Sequence, residues 1–212
     1  SKMPSNATML CGCAVVEMWD LQPPLRGKRA SPVGFSQVGF NHADTGRRMA
    51  EHLLGAGHRH LLYVDSAVTE DFRAHERGDG FVAMAVASGA RAQRITAPAG
   101  DAIDAGRSVL ALMATLDPKP DACALANDHL ACGLILQARA VGMAIPEQLA
   151  VMGFGDFPLS RQLDPALTTM APPRLAIGQR AAELLIAMRE DGMGGAVQHI
   201  ELPCVLMRRG SA

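Results

Sequence analysis

Short apolar runs alternate with amphipathic segments of about a dozen residues through most of the chain. Apolar runs predict buried strands, and apolar residues at helical spacing predict helices between them. The strands are expected at residues 60–64, 93–96, 122–126 and 149–154, and the helices at residues 44–54, 77–88, 103–116 and 128–141. Because strands that alternate with such helices form right-handed βαβ crossovers, the pattern predicts an α/β fold with a doubly wound parallel sheet.

The two ends of the chain carry a weaker version of this pattern. Strands are expected at residues 14–18 and near 37–40, a helix at residues 174–188, and strands near residues 198–202 and 205–207. The segment from Thr169 to Arg174, with two prolines, is predicted to be a crossover between subdomains. Residues 1–12 lack periodicity and contain Ser5-Asn6-Ala7, so we predict a tag or disordered segment there.

Composition restricts the possible functions. The 212 residues are 49% hydrophobic and 19% charged, which is enough for one large or two small domains. With a formal net charge of −1, the chain carries no basic footprint for DNA or RNA. Its five cysteines have no metal-type spacing, and no apolar run approaches the roughly 20 residues of a membrane span. We therefore expect a cytoplasmic protein that does not contact a membrane.

The usual signatures of catalysis and cofactor binding are missing from the sequence. It contains no phosphate-binding loop, no dinucleotide-binding glycine motif and no G-x-S-x-G elbow. The seven histidines do not form a metal-binding spacing, and those at 52, 58 and 60 straddle a helix end and a strand start. We expect no catalytic residue, no metal and no cofactor, and interpret Cys123 and Cys132 as small core residues.

Polar residues follow two of the predicted strands, where an open α/β sheet places its ligand site. Asn127 ends one strand and is interpreted as a ligand contact, because its amide can both donate and accept, whereas Asp128 is interpreted mainly as a helix cap. Asp156 follows the next strand and is either a ligand contact or a turn residue. Arg77, expected at a helix start, is either a surface residue or a guanidinium that binds carboxylate or hydroxyl pairs.

The ordered combination of these motifs resembles the lactose/galactose repressor family (LacI/GalR) of bacterial transcription regulators, in its effector-binding domain. The similarity extends from about residue 12 to the end. It rests on Val15-Val16-Glu17-Met18-Trp19-Asp20, Val38-Gly39-Phe40-Asn41, Gly57-His58, Arg77-x-x-Gly80-Phe81, Ala126-Asn127-Asp128-x-x-Ala131-x-Gly133, Val151-x-Gly153-Phe154, Pro165-x-Leu167-Thr168-Thr169, and Gly178 with Ala181-x-x-Leu184-Leu185.

The resemblance implies roles for particular residues. Arg77 and Asn127 match positions that hold the effector in sugar-responsive members, and Trp19 or Asp20 falls near a contact from the N-terminal subdomain. Gly155 stands where many sugar-binding members have an acid, with Asp156 one place later, which argues against a neutral sugar. The V-V-E-x-W-D and G-F-G-D forms look most like regulators of the gluconate type.

Arg174 follows Pro172-Pro173 in a stretch where such members also carry arginine, so it is expected to face the ligand or to be a solvated residue at a helix start. Two arginines and a missing acid favour an anionic ligand such as a sugar acid.

The family implies a type I periplasmic-binding-protein-like fold with doubly wound parallel sheets in two subdomains. Residues 13–40 and 171–201 would form the remainder of an incomplete N-terminal subdomain, residues 41–170 the C-terminal subdomain, and residues 202–212 a tail returning to it. It further implies a small-molecule effector in the cleft between them, a homodimer, and operator DNA bound through a headpiece that is absent from this chain. Ligand would act by changing the closure of a hinge.

Two other functions stay open at this point. An extracytoplasmic solute-binding protein would have the same fold, and an intact N-terminus would distinguish the two through a signal peptide or a headpiece. A small-molecule enzyme on the same scaffold is the other, because a fold does not fix a function. No nucleophile and base pair, phosphate loop or metal set can be assembled for it.

Overall fold

The computed structural model describes residues 14–21, 35–190 and 197–212, so the predicted tag at residues 1–12 lies outside the described residues. Two compact units are formed. The larger unit contains His42–Pro172 and Cys204–Ala212, and the smaller unit contains the described residues up to Asn41 together with those of Pro173–Pro203.

The larger unit is built on a six-stranded sheet. Its strands are β3 (His60–Asp65), β4 (Arg91–Thr96), β5 (Ala122–Leu125), β6 (Ala150–Phe154), β7 (Thr168–Ala171) and β9 (Val205–Met207). In the order β4-β3-β5-β6-β7-β9, all neighbours are parallel except the antiparallel pair β7 and β9. The carboxyl ends of the parallel strands therefore meet at one edge, and the prediction of an α/β fold with parallel sheets is confirmed.

The larger unit has four α-helices, which pack in two pairs. They are α1 (His42–Gly55), α2 (Phe72–Ala87), α3 (Ala102–Met113) and α4 (Asp128–Ala140). Helix α1 packs on α2, and α3 packs on α4. One buried cluster extends from β3 through β5 and β6 to helices α3 and α4, and includes Cys123 and Cys132. Their interpretation as core residues is confirmed.

Glycines set the spacing of both helix pairs. A Cβ on Gly46 would lie 1.8 Å from the carbonyl oxygen of Arg77, and one on Gly133 would lie 2.0 Å from that of Ile103. In each pair the other helix supplies a reciprocal glycine, Gly80 and Gly106. The helix backbones are therefore in direct contact, which only a residue without a side chain permits.

Two details of the sequence-based expectation were wrong. Helix α2 begins at Phe72 rather than at Arg77, because Asp71 caps it by accepting a hydrogen bond from the amide of Ala74 at 3.1 Å. Residues 168–171 form strand β7, which was not predicted, and the chain passes from the larger to the smaller unit directly after it, between Pro172 and Pro173. The threonines of β7 are fully buried by their neighbours, and the sequence Thr-Thr-Met-Ala gives no clear strand period.

Residues near the end of the chain connect β6 and β7 through hydrogen bonds. Buried Ser211 donates its hydroxyl to the carbonyl of Val151 at 2.6 Å and accepts the amide of Thr168 at 2.8 Å. The amide of Val151 donates to the carbonyl of Ser211 at 2.7 Å. Arg209 adds a hydrogen bond to the carbonyl of Leu167 at 2.8 Å. The tail is thus part of the larger unit.

The smaller unit has a three-stranded parallel sheet in the order β1-β2-β8, with β1 (Val16–Asp20), β2 (Ser36–Phe40) and β8 (His199–Glu201). Helix α5 (Arg174–Glu190) packs on β1 and β2. The buried residues of α5 are Ile177, Ala181 and Leu184, at the spacing of one helix face.

Candidate functional site

The carboxyl edge of the large sheet holds a buried arginine. Arg77 lies on the second turn of α2 and is only 4% exposed. Its Nη2 donates to the carbonyl of Ala126 at 2.8 Å, and its Nη1 donates to Nδ1 of His42 at 3.0 Å. Its guanidinium carbon lies 3.8 Å from the ring centroid of Phe154. Arg77 is therefore held at the ends of β5 and β6, next to Asn127, and it is not a surface residue.

The positive charge of Arg77 has no anionic partner within the described part of the chain. Its Nε is buried and makes no hydrogen bond there. Burial raises the pKa of nearby Tyr63 to about 12, against the opposing charge of Arg77, so the phenol stays neutral and donates to the carbonyl of Ala74. The stacking of a cation on Phe154 contributes about 2 kcal/mol when desolvated. Burial disfavours an ion by several kcal/mol, so the stacking on Phe154 does not by itself offset the burial of the Arg77 charge.

The helix cap expected of Asp128 is supplied by Asn127 instead. Asn127 is the N-cap of α4, because its Oδ1 accepts the amide of Leu130 at 3.0 Å. Asp128 is fully buried and does not cap the helix. Both residue types are good caps, and the sequence alone did not reveal that the residues around Asp128 would supply its hydrogen-bond donors.

Asp128 instead ties three segments together. Its Oδ2 accepts the amide of Phe157 at 2.9 Å and the hydroxyl of Ser160 at 2.6 Å, and its Oδ1 accepts the hydroxyl of Thr169 at 2.6 Å. A Cβ on Gly153 would lie 2.3 Å from Oδ1 of Asp128, so this position of β6 has to be glycine. The carboxylate therefore fixes the segment that follows β6 to α4 and β7.

Asp156 is bound to two arginines. Its Oδ2 accepts from Arg161 at 2.5 Å and its Oδ1 accepts from Arg209 at 2.5 Å. Burial alone would raise the pKa of Asp156, but the hydrogen bonds and charges of both arginines outweigh burial and keep it below its usual range. Asp156 was predicted as a ligand contact, but each of its carboxylate oxygens already binds an arginine of the protein.

Gly155 has a φ of +134°, a conformation that favours glycine. A Cβ there would also lie 2.8 Å from the ring of Phe157. An acidic side chain at position 155 would require this segment to change its path.

Four aromatic or histidine residues at this edge were not predicted as part of the site. Buried His42 contacts Arg77, Phe154 lies under its guanidinium, and Phe157 stacks on the imidazole of His129 with ring centroids 4.7 Å apart. A signal was available for Phe154, since it ends an apolar strand at the predicted edge. None was available for His42, because its contact with Arg77 joins residues 35 positions apart.

The predicted ligand residues of the smaller unit lie on two of its elements. Trp19 has a φ of +82° and packs edge-to-face on Phe40, with ring centroids 6.2 Å apart. Asp20 ends β1 and is buried, and Arg174 begins α5 and is exposed. Their contact with a ligand stays a prediction.

Cys123, Cys132 and Cys204 are buried. Burial raises the pKa of the thiols of Cys132 and Cys204 to about 11, and raises that of Cys123 even further. Among residues 14–21, 35–190 and 197–212, no three His, Cys, Asp or Glu side chains are grouped to hold a metal ion. No helix in these ranges is long and apolar enough to cross a membrane.

Known proteins are similar to this chain in both sequence and fold. A family model for the periplasmic binding protein-like domain matches residues 50–212. The HTH-type transcriptional regulator GntR of Pseudomonas aeruginosa is 36% identical over 157 residues, which are 73% of this chain and 45% of that protein. The chain spans about half the length of the curated relatives it matches.

Two solved structures agree with this match. Transcription regulator GntR from Chromobacterium violaceum is 32% identical, with a TM-score of 0.78 over 93% of this chain and 69% of that one. A LacI family transcriptional regulator from Silicibacter pomeroyi is 30% identical, with a TM-score of 0.78 over 92% of this chain and 68% of that one. These relatives are transcriptional regulators rather than enzymes. The chain belongs to the periplasmic-binding-protein-like domains of the LacI family of transcriptional regulators.

Proposed function

We propose that the chain is the effector-sensing part of a bacterial DNA-binding transcription regulator, and that its effector is a small sugar acid of the gluconate type. Operator DNA would be bound by a headpiece encoded outside these 212 residues, in a cytoplasmic homodimer. The family relationship supports the regulatory role and disfavours the extracytoplasmic solute-binding protein considered from the sequence.

The observation that carries the ligand class is the buried, unpaired charge of Arg77. A guanidinium without a carboxylate partner is stabilised by a ligand that brings one, and planar carboxylates fit its N–H donors. The nearby Phe154 ring and the neutral Tyr63 supply no negative charge. An aldonate offers both a carboxylate for Arg77 and a row of hydroxyls for neighbouring amide groups.

Asn127 is suited to the hydroxyl groups. Its Oδ1 is used by the helix cap, while its Nδ2 makes no hydrogen bond to any described residue. Asn127 is also partly exposed, so the Nδ2 amide can donate to a ligand oxygen. Asp156 contributes less in this arrangement, because the two arginines already occupy its oxygens.

Calorimetric titration with potassium gluconate and with glucose tests this proposal. We expect gluconate to bind more tightly, and Arg77→Met to weaken it by about 1–3 kcal/mol while the apolar stem keeps the packing. Asn127→Ser, which retains a capping oxygen but removes the amide, is expected to weaken binding within the same range. Arg107→Ala in α3 removes an exposed arginine and serves as the control.

Two results would contradict the proposal. Binding of glucose alone would exclude the sugar-acid class. Unchanged gluconate affinity in Arg77→Met, with the control also unchanged, would remove Arg77 from the ligand site.

A further inference from the structure

His42 lies in a position that determines how Arg77 is presented. It is the first residue of α1, is 1% exposed, and its Nδ1 is 3.0 Å from Nη1 of Arg77. A guanidinium can only donate, so Nδ1 accepts and the neutral imidazole carries its proton on Nε2. The imidazole therefore acts as a fixed acceptor for one end of Arg77.

Three contacts together fix the plane of the guanidinium. One terminal nitrogen donates to His42, the other donates to the carbonyl of Ala126, and the flat face rests on Phe154. The carbonyl and the ring belong to strand ends of the sheet, whereas His42 belongs to a helix. Loss of the His42 contact would leave the guanidinium free to turn about the Ala126 hydrogen bond.

Backbone packing keeps His42 in reach of Arg77. Gly46, one turn further along α1, lies so close to α2 that a Cβ would be 1.8 Å from the carbonyl oxygen of Arg77 itself. The spacing of the two helices is thus set at the residue that His42 contacts. The imidazole is also packed near Phe154, with ring centroids 6.5 Å apart.

We propose that His42 is a positioning residue for Arg77, holding the guanidinium in the orientation that receives the carboxylate of the effector. This inference rests on the proposed function for the claim that Arg77 contacts the effector. The restraint of Arg77 by His42 can be measured without any ligand.

The test compares His42→Leu with His42→Asn. Leucine removes the acceptor, whereas the Oδ1 of asparagine can take the place of Nδ1. In the ligand-free chain, the ¹⁵N heteronuclear NOE of the Arg77 Nε–H group reports the mobility of the guanidinium. We expect a rigid signal in the parent and in His42→Asn, and a markedly reduced NOE in His42→Leu.

Titration with potassium gluconate measures the consequence for binding. We expect His42→Leu to weaken binding about tenfold, which corresponds to the loss of one charge-assisted hydrogen bond between Arg77 and the effector. His42→Asn should restore most of the affinity. In the Arg77→Met background, His42→Leu should cause no further loss. A general destabilisation by leucine would instead weaken binding equally in both backgrounds.

The outcomes separate the two proposals. An unchanged Arg77 NOE in His42→Leu, or a tenfold loss of affinity that asparagine does not restore, would overturn the positioning role. A reduced NOE together with gluconate binding that does not depend on Arg77 would support the restraint and refute the assignment of Arg77 to the effector.

Discussion

Replacement of Asp128 by alanine is expected to destabilise the larger unit far more than replacement of its neighbour Asn127. The buried carboxylate of Asp128 accepts three hydrogen bonds, from Phe157, Ser160 and Thr169. Each hydrogen bond to a charged group contributes about 1.5–3 kcal/mol. Two effects reduce the loss: the hydroxyl donors can rotate toward other acceptors, and the variant no longer has to bury a carboxylate. We therefore expect the free energy of unfolding to fall by about 3–5 kcal/mol.

Asn127→Ala provides the matched comparison. It removes only the capping hydrogen bond to the amide of Leu130, which corresponds to about 1 kcal/mol. The two variants differ by one position along the chain, and each removes a short polar side chain. Their difference therefore measures the buried network against the helix cap.

Urea unfolding monitored by circular dichroism at 222 nm provides the measurement. With a denaturant dependence of about 2–3 kcal/mol per molar urea, the Asp128→Ala midpoint should fall by about 1–2 M and the Asn127→Ala midpoint by less than about 0.5 M. Equal losses in the two variants, or a loss below about 1 kcal/mol for Asp128→Ala, would refute the assignment of their roles.

Three further changes have defined expected results. Gly133→Ala should lower the melting temperature by several degrees, because its Cβ would clash with a helix backbone, whereas Gly178→Ala, whose Cβ meets no neighbour within 4 Å, should raise it slightly. Equal shifts in thermal scans would contradict this packing. Asp156 has a lower pKa folded than unfolded, so its two ion pairs contribute fully above about pH 4, and their contribution is lost as the pH falls through the lowered pKa. Urea midpoints should therefore depend less on pH between about 5 and 2 in Asp156→Asn than in the parent. Parallel pH profiles of the two proteins would contradict a stabilising role for these ion pairs. Cys132 should resist iodoacetamide at pH 7.5 until urea is added, since its thiol pKa is about 11, and peptide mapping that finds it alkylated in the folded chain would disprove its burial.

Much of the larger unit could be predicted because its signals are local. The strands at β3, β5 and β6 are continuous apolar runs, and a clear helix pattern follows both β3 and β5. Strand β7 could not be recognised, because its threonines are buried only by partners distant in sequence, including Ser211 and Asp128.

The candidate site was predictable in part for the same reason. Asn127 and Arg77 follow from strand ends and from the family resemblance. The partners that define them, His42 and Phe154 for Arg77, come together only through helix and strand packing. The ion pairs of Asp156 likewise join it to Arg209, 53 residues away in the chain.

The position of the tail in the sheet has a consequence for synthesis on the ribosome. Residues 42–172 emerge before the tail. Ser211, about 40 residues later, supplies the hydrogen-bond partners of the amide and carbonyl of Val151 and of the amide of Thr168. At typical translation speeds of about 5–20 residues per second, this side of the sheet stays unpaired for roughly 2–8 s. In that interval β7 also lacks its neighbour β9 and presents an open strand edge, which is the feature that invites pairing with other chains. We therefore expect chaperone dependence during expression to be greatest in this window, and to be increased by substitutions at Ser211.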